Sequence, residues 1–449
     1  MALQGISNYR FTNWAKTYSC QPELFFEPET VEELAQILRQ ASAERKRVRV
    51  IGFGHSPSDI CCTNDFMIRL FKFNKVLHLD KNENTIKIGA GMMLRDLNTI
   101  LENNGMAMCN LPAIDDITIG GIIATGTHGS GMNFGIISTL VRDLELMKAD
   151  GEIIYCSRQS NPEIFKAALL SLGCVGIVTS VTLQCEPAFR LHETAESAPV
   201  EETLATFEDD LKKSEHFKFL YHPHTGNCVK YHIKRSDKPV VDPGESWFWD
   251  SFVGFHMLQF LLYIASFFPR LVNVINRFYH SMFFRNPTER CNAPHKILHF
   301  NCLFPQYVSE WSFPREKTGY VLRSLRDAIS KENLHVHLPV EIRFGKADDI
   351  YLSPCYKRDV TFMNILMFRP YYKDVPGKER YWAIYESIVK SIGGRPHWAK
   401  AHKVVPDELR EMYPEFGKFL EIRKSLDPNG MFLNEYLERH ILGTTSVQI

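Results

Sequence analysis

The chain has 449 residues, long enough for two domains with their own hydrophobic cores. Lys plus Arg balance Asp plus Glu at 52 each, and the overall composition is that of a globular protein. Disordered and fibrous classes are thereby excluded, and without a basic field no nucleic-acid partner is expected.

Residues Met1 to Cys20 mix polar, charged and aromatic side chains without an apolar core, so no cleavable secretory signal is expected. Pro28 and Thr30 open a helix pattern through Val31, Leu34, Ile37 and Leu38, with Thr30 and Glu33 at capping-box spacing. A strand Val48-Arg49-Val50-Ile51 follows, and strand-like runs recur at 76–79, 85–88, 144–148 and 153–155. Asp150-Gly151 reads as the turn of a hairpin, 167–173 as a helix end and 177–183 as a buried strand. This is an α+β layout with mixed sheets, not the regular βαβ alternation of a dinucleotide fold. Beyond Leu191 the texture turns rich in charge and histidine, then apolar from Trp247. Strands and amphipathic helices return near His295, as in a second domain. The segment Ser425 to Phe432 reads as a helix stop, a turn and a strand start. Eleven cysteines are scattered without a C-x-x-C pair or zinc-type spacing, so mostly reduced thiols and no metal site are expected. No N-x-S/T acceptor occurs, because Pro287 blocks the one after Asn286.

Four elements carry chemistry. In Gly52-Phe53-Gly54-His55-Ser56 a β-branched run ends in two glycines, which permit a sharp turn and close approach to an anion. His55 leaves that turn as a nucleophile or tether, or as an incidental residue of a tight bend. Ile119 to Gly131 holds five glycines with Thr125, Thr127, His128 and Ser130, a set of backbone donors and hydroxyls suited to a diphosphate. Either segment alone is also readable as a generic glycine turn. In Val340-Glu341-Ile342-Arg343, Glu341 and Arg343 share one face of a strand, as an active pair or a surface ion pair. Lys400 sits just beyond a Pro396-His397-Trp398 turn.

In this order the four elements resemble the aldonolactone oxidase branch of the vanillyl-alcohol-oxidase flavoprotein family. The likeness runs along essentially the whole chain, through Asn13-Trp14-Ala15-Lys16-Thr17-Tyr18, Gly54 to Ile60, Leu146 to Gly151, Pro314 to Thr318, Gly394 to His402 and Leu426 to Tyr436. It implies a two-domain PCMH-type FAD-binding fold. The FAD-binding domain spans 1–190, an α+β cap spans 191–412 with an apolar membrane-associating segment at 247–285, and 413–449 returns to the FAD site. It implies FAD bonded covalently through His55. Cofactor contacts are implied from Gly52, Phe53, Gly54 and Ser56, from Gly120, Gly121, Thr125, Thr127, His128 and Gly129, and from Gly176, Ile177 and Val178 at the adenine end. Glu341, Arg343 and Lys400 match residues facing the flavin ring. Two positions depart from the pattern: Phe53 stands where a third glycine is usual, and Pro112 occupies the position governing oxygen access, where close relatives carry glycine. A reshaped loop and an oxidase are the expectations.

The implied reaction is oxidation of an aldono-1,4-lactone at C2, with hydride passing to the flavin and O2 reoxidising it to give H2O2. From L-gulono-1,4-lactone the 2-keto-lactone enolises to ascorbate. Arg343 and Lys400 are the cations for developing alkoxide charge, and Glu341 accepts a hydroxyl hydrogen bond. Galactono- or arabinono-lactone oxidation, alditol oxidation and a membrane-associated flavin-binding protein without turnover are the alternatives.

Ser251 to Pro269 carries no formally charged residue and reaches the usual length of a membrane span. A single crossing would part His55 from Glu341 and Lys400. Helices lying in the interface are therefore expected, with Arg270, Arg277, Arg285 and Arg290 near headgroups. The relatives' microsomal placement implies an endoplasmic reticulum membrane.

Overall fold

The computed structural model describes residues 3–242, 244, 246–300, 302 and 304–444. Two layers make the first domain. Strands Leu24–Phe26, Phe66–Arg69 and Val48–Ile51 form a parallel sheet in that order. The helix Val31–Glu44 covers it through Leu34, Ile37 and Leu38, as the apolar spacing predicts. Its cap differs slightly from a regular capping box: Thr30 accepts from the Glu33 amide, but Glu33 reaches back to the Glu29 amide instead of that of Thr30. Beside it lies an antiparallel sheet ordered Ile153–Ser157, Val141–Met147, Ile177–Gln184, Thr85–Gly89 and Val76–Asp80. Asp150-Gly151 makes the hairpin turn between the first two strands, with Gly151 at φ 85°.

The second domain is built on one eight-stranded antiparallel sheet. Its order is Thr288–Asn292, Leu191–Pro199, Asn227–Arg235, His216–His222, Val340–Gly345, Val360–Phe368, Gln306–Pro314 and Arg395–Pro396. The charged stretch after Leu191 is thus sheet from its start, with some of its charge exposed and some, as at Glu193 and Lys230, buried. Register sets Glu341 opposite Asn364 and Asn364 opposite Glu310, so three polar residues of adjacent strands stand in one row.

Two sequence expectations are corrected. Ile119–Thr125 is a short helix capped by Thr118, not loop, because only Gly126 takes the left-handed conformation that ends it, at φ 67°. Among the described residues no strand follows Leu426. The Asp427 carboxylate accepts from the Met431 and Phe432 amides at 2.7 and 2.9 Å and closes a tight loop, whose Met431 carbonyl caps Val48. Asn434 then donates to the Ile60 and Cys62 carbonyls, which returns the C-terminal segment to the His55 loop. The apolar run is split into a π-helical stretch Trp247–Met257, a helix Leu258–Ala265 and a helix Leu271–Phe283. Among the described residues no helix is long and apolar enough to cross a membrane. All eleven cysteines are free thiols.

Candidate active site

A cleft between the two domains, with about 1320 Å³ of space including its open mouth, gathers most of the expected residues. Gly52, Phe53, Gly54, His55 and Ser56 form one wall with Pro112; Gly121, Thr125, Thr127 and His128 form another; Glu341, Arg343 and Lys400 close one end.

The loop after Val48–Ile51 turns at Gly54, which has φ 76°. Gly52 needs no special φ but a close approach: a Cβ there would lie 2.2 Å from Thr118 Oγ1. The loop backbone therefore packs directly on the Thr118 side chain that caps the helix. His55 is stacked between Trp14 and Phe53, with ring centroids 5.2 and 5.6 Å away. Phe53 continues the stack to Phe71 and stays partly exposed, so the residue replacing the usual glycine points along the rim and leaves the cleft open. Burial pushes the His55 imidazole down to about 4; Asp116 opposes this and Lys400 adds to it. The ring is neutral at ordinary pH, the form in which a nitrogen lone pair is nucleophilic.

At the other wall Glu310, absent from the expected set, is the organising residue. It is 2 % exposed, and its Oε1 accepts from Arg343 at 2.7 Å and from His128 Nε2 at 3.1 Å. Lys400 Nζ lies 3.8 Å from Oε2. Burial alone would raise its carboxyl, but Arg343 and His128 overcome that and hold it well below the usual carboxylate range. Glu341 lies 3.5 Å from Arg343 Nε and 3.9 Å from Lys218. The two carboxylates thus bracket one guanidinium, and the Glu341–Arg343 pair is a buried pair of the cleft rather than a surface ion pair. His128 is stacked on Phe362 at 3.4 Å, so its ring is fixed as a support for Glu310. His128, Glu310 and His397 each bring one ligand-type atom within 4.8 Å of the others, but Arg343 already occupies the carboxylate of this group.

Lys400 is positioned by a bond from its amide to the His397 carbonyl, and Ser58 donates to the Ala399 carbonyl at 3.0 Å. That bond ties the His55 loop to the lysine turn across 341 residues. Pro112 is held through its carbonyl, which accepts from His299 Nδ1 at 2.8 Å, while Asn98 donates to Nε2 of the same ring.

Five expected contacts lie outside the cleft. Gly120 faces the Ala90 carbonyl, where a Cβ would be tight, and Gly129 faces Asn110 and Leu111 and Gly176 faces Met147 and Leu146, where a Cβ would collide. Ile177 and Val178 point into hydrophobic cores. These glycines serve packing of the walls, not their lining. Besides Glu310, the sequence reading missed Trp14, Asn364 and Arg49, all of which line the cleft. Glu310 had a signal: it is the one acid in Tyr307-Val308-Ser309-Glu310-Trp311-Ser312-Phe313, an otherwise strand-like run.

Observed features fit a flavin dinucleotide. A glycine cradle meets a helix N-terminus, Asn364 Oδ1 and two Arg49 nitrogens are buried without partners, and an elongated cleft joins a cationic end to a histidine. Residues 22–157 match the family model described as FAD binding domain. A solved cholesterol oxidase from B. sterolicum has the same fold, with TM-score 0.79 and 18 % identity over 96 % of both chains. Fold and site together define a two-domain FAD-dependent oxidoreductase.

Residues 181–440 match the family model described as D-arabinono-1,4-lactone oxidase. The chain is 46 % identical to L-gulonolactone oxidase of Bos taurus over 97 % of its own length and 99 % of the relative's. It is 47 % identical to that of Scyliorhinus torazame, again over 97 % and 99 %. It is 30 % identical to D-arabinono-1,4-lactone oxidase of Kluyveromyces lactis over 95 % of both. The chain belongs to the aldonolactone oxidase family of FAD-dependent enzymes.

Proposed function

We propose that this enzyme oxidises L-gulono-1,4-lactone at C2 with O2, giving the 2-keto-lactone that enolises to L-ascorbate, and H2O2. The observation that carries this reading is the buried Glu310–Arg343–Glu341 array with Lys400, facing the cleft beside His55. Full-length identity of 46 to 47 % to L-gulonolactone oxidases, against 30 % to an arabinonolactone oxidase, supports the choice of lactone.

When bound, FAD supplies the hydride acceptor and hands the electrons to oxygen. The protein supplies charge and position. Arg343 and Lys400 stabilise negative charge growing on the substrate oxygen, in a site whose burial strengthens each interaction. Glu341 is less fully paired than Glu310 and offers an acceptor for the substrate hydroxyl. Glu310 is saturated by its partners and holds Arg343 in place. An array of this kind has no use in a protein that merely carries flavin.

The covalent link to FAD falls to His55, which is neutral, stacked and at the cleft wall. Pro112 lines the same cleft and is the residue through which oxygen access is controlled. The enzyme works at a membrane surface, as a peripheral protein of the endoplasmic reticulum. Trp247, Phe248, Phe260, Phe267 and Phe268 expose half or more of their surface on one apolar segment. Two of the four arginines expected at headgroups have other partners, since Arg277 donates to the His224 carbonyl and Arg290 pairs with Glu193.

H2O2 yield with L-gulono-, L-galactono- and D-arabinono-1,4-lactone tests the substrate. Highest kcat/KM with the first is expected; a preference for the third would transfer the enzyme to the arabinonolactone reading, and no peroxide with any lactone would end both.

A further inference from the structure

Among the described residues Arg49 is a buried cation without an anion. It sits on the Val48–Ile51 strand, where alternation sends Val48 into the core and Arg49 to the cleft side. It is 4 % exposed. Its one hydrogen bond runs from NH2 to the Leu172 carbonyl at 2.9 Å, while Nε and NH1 are buried with no partner at all. Burial pulls it below the ordinary guanidinium range, opposed chiefly by Cys61, Cys174, Tyr436 and Cys62. Those groups are uncharged at neutral pH, because burial pushes the Cys61 and Cys174 thiols up to about 11 and about 12 and raises the Tyr436 phenol, while a hydrogen bond with Cys20 and burial together raise the Cys62 thiol.

The surroundings are shaped to keep that guanidinium in place. Leu172 has φ 52° and Gly173 φ 70°, two successive left-handed residues that aim the Leu172 carbonyl at Arg49. The Leu172 amide is fastened to the Ala124 carbonyl of the glycine-containing helix at 2.9 Å. A Cβ on Gly173 would lie 3.2 Å from NH1, so glycine there keeps the space beside the free nitrogen open. The other cations lining the cleft differ. Arg343 is held between Glu310 and Glu341, and Lys400 faces Glu310.

A buried, hydrogen-bond-deficient charge is costly unless a partner arrives. Within FAD only the diphosphate is anionic; the ring system, ribityl chain, ribose and adenine are neutral. We propose that Arg49 is the counter-ion of the FAD diphosphate, a cofactor-positioning residue whose two free N–H groups are reserved for phosphate oxygens. Guanidinium suits this task because its planar fork can donate twice to one phosphate.

The proposal rests on the reading of the cleft as an FAD site, and its test separates the two. The full chain is prepared flavin-free in a His55→Ala background, so that all binding is reversible. FAD and riboflavin, which lacks phosphate, are titrated by flavin fluorescence with and without Arg49→Met and Arg49→Lys. Arg49→Met is expected to raise the Kd for FAD at least tenfold and to leave that for riboflavin within twofold. Arg49→Lys, which keeps a cation, is expected to fall between. Without ligand, Arg49→Met is expected to melt above the parent, since an unpaired charge is gone. Equal FAD affinity in Arg49→Met and parent overturns the proposal, as does an equal loss for both flavins or a lower melting temperature of the free protein. If the parent itself takes up no FAD, the cofactor reading of the cleft fails first.

Discussion

Arg343 donates to Glu310 at 2.7 Å in a site where both side chains are more than nine-tenths buried, and this pair sets the geometry of the cationic end of the cleft. One charge explains the other. Glu310 stays ionised in the interior because Arg343 and His128 face it, and Arg343 stays in register because Glu310 and Glu341 bracket it.

Replacing either partner leaves a charge stranded. Arg343→Ala is expected to cost about 3 to 5 kcal/mol of stability, the usual range for breaking a buried pair. It is also expected to slow flavin reduction about 10²-fold, as loss of a preorganised donor does. Lys400→Ala should separate the two effects, because Lys400 is 22 % exposed and only 3.8 Å from its carboxylate. Stability within about 1 kcal/mol of wild type, with slow reduction, is expected there. Urea midpoints and anaerobic stopped-flow rates check both; a wild-type reduction rate in both variants removes their roles.

Acid should find Glu310 early. Its folded pKa lies well below its unfolded value of about 4.3, so its contribution is fully present above that value. The contribution is lost as the pH falls below it toward the folded pKa. Urea midpoints followed from pH 6 to pH 3 should fall more steeply for wild type than for Glu310→Gln, with the curves converging at low pH. Parallel curves would show that Glu310 carries no such linkage.

Phe53 covers one face of His55 and contributes to the burial that keeps it neutral. His55→Ala is expected to release flavin on acid precipitation that wild type retains. In wild type, flavin attachment should persist as the pH falls toward about 4, where the imidazole takes up its proton. Phe53→Gly should move that fall-off toward about 6.5, the value of an exposed histidine. Attachment with an unchanged pH profile in Phe53→Gly would mean that the stack does not tune His55.

The aromatic surface of the apolar segment gives a further expectation. Replacing Trp247, Phe267 and Phe268 together by Ser should lower partition onto anionic lipid vesicles at least tenfold, with activity on soluble lactone retained. Unchanged partition would dissociate this surface from membrane binding.

Much of this was legible in the sequence, for physical reasons that differ by residue. The helix at Val31, the Asp150-Gly151 hairpin and the shared strand face of Glu341 and Arg343 are local, so periodicity and turn chemistry suffice. His55 and Lys400 were legible through collinear motifs. Glu310 and Arg49 were not, because their meaning lies in what surrounds them: an acid in a strand acquires its role when Arg343 and His128 converge on it from other strands and loops. Gly120, Gly129 and Gly176 are ambiguous in the opposite sense. Glycine lets a backbone approach a ligand or another wall, and sequence does not distinguish the two; here all three face protein.

Coupling of lactone oxidation to oxygen through FAD is the property on which the proposed function depends. Anaerobic titration of the purified flavoprotein with L-gulono-1,4-lactone, followed by admission of air, tests it most directly. The flavin absorbance is expected to bleach stoichiometrically with lactone and to return on aeration with formation of H2O2. A flavin band that no aldonolactone bleaches, or that stays bleached in air, would contradict it.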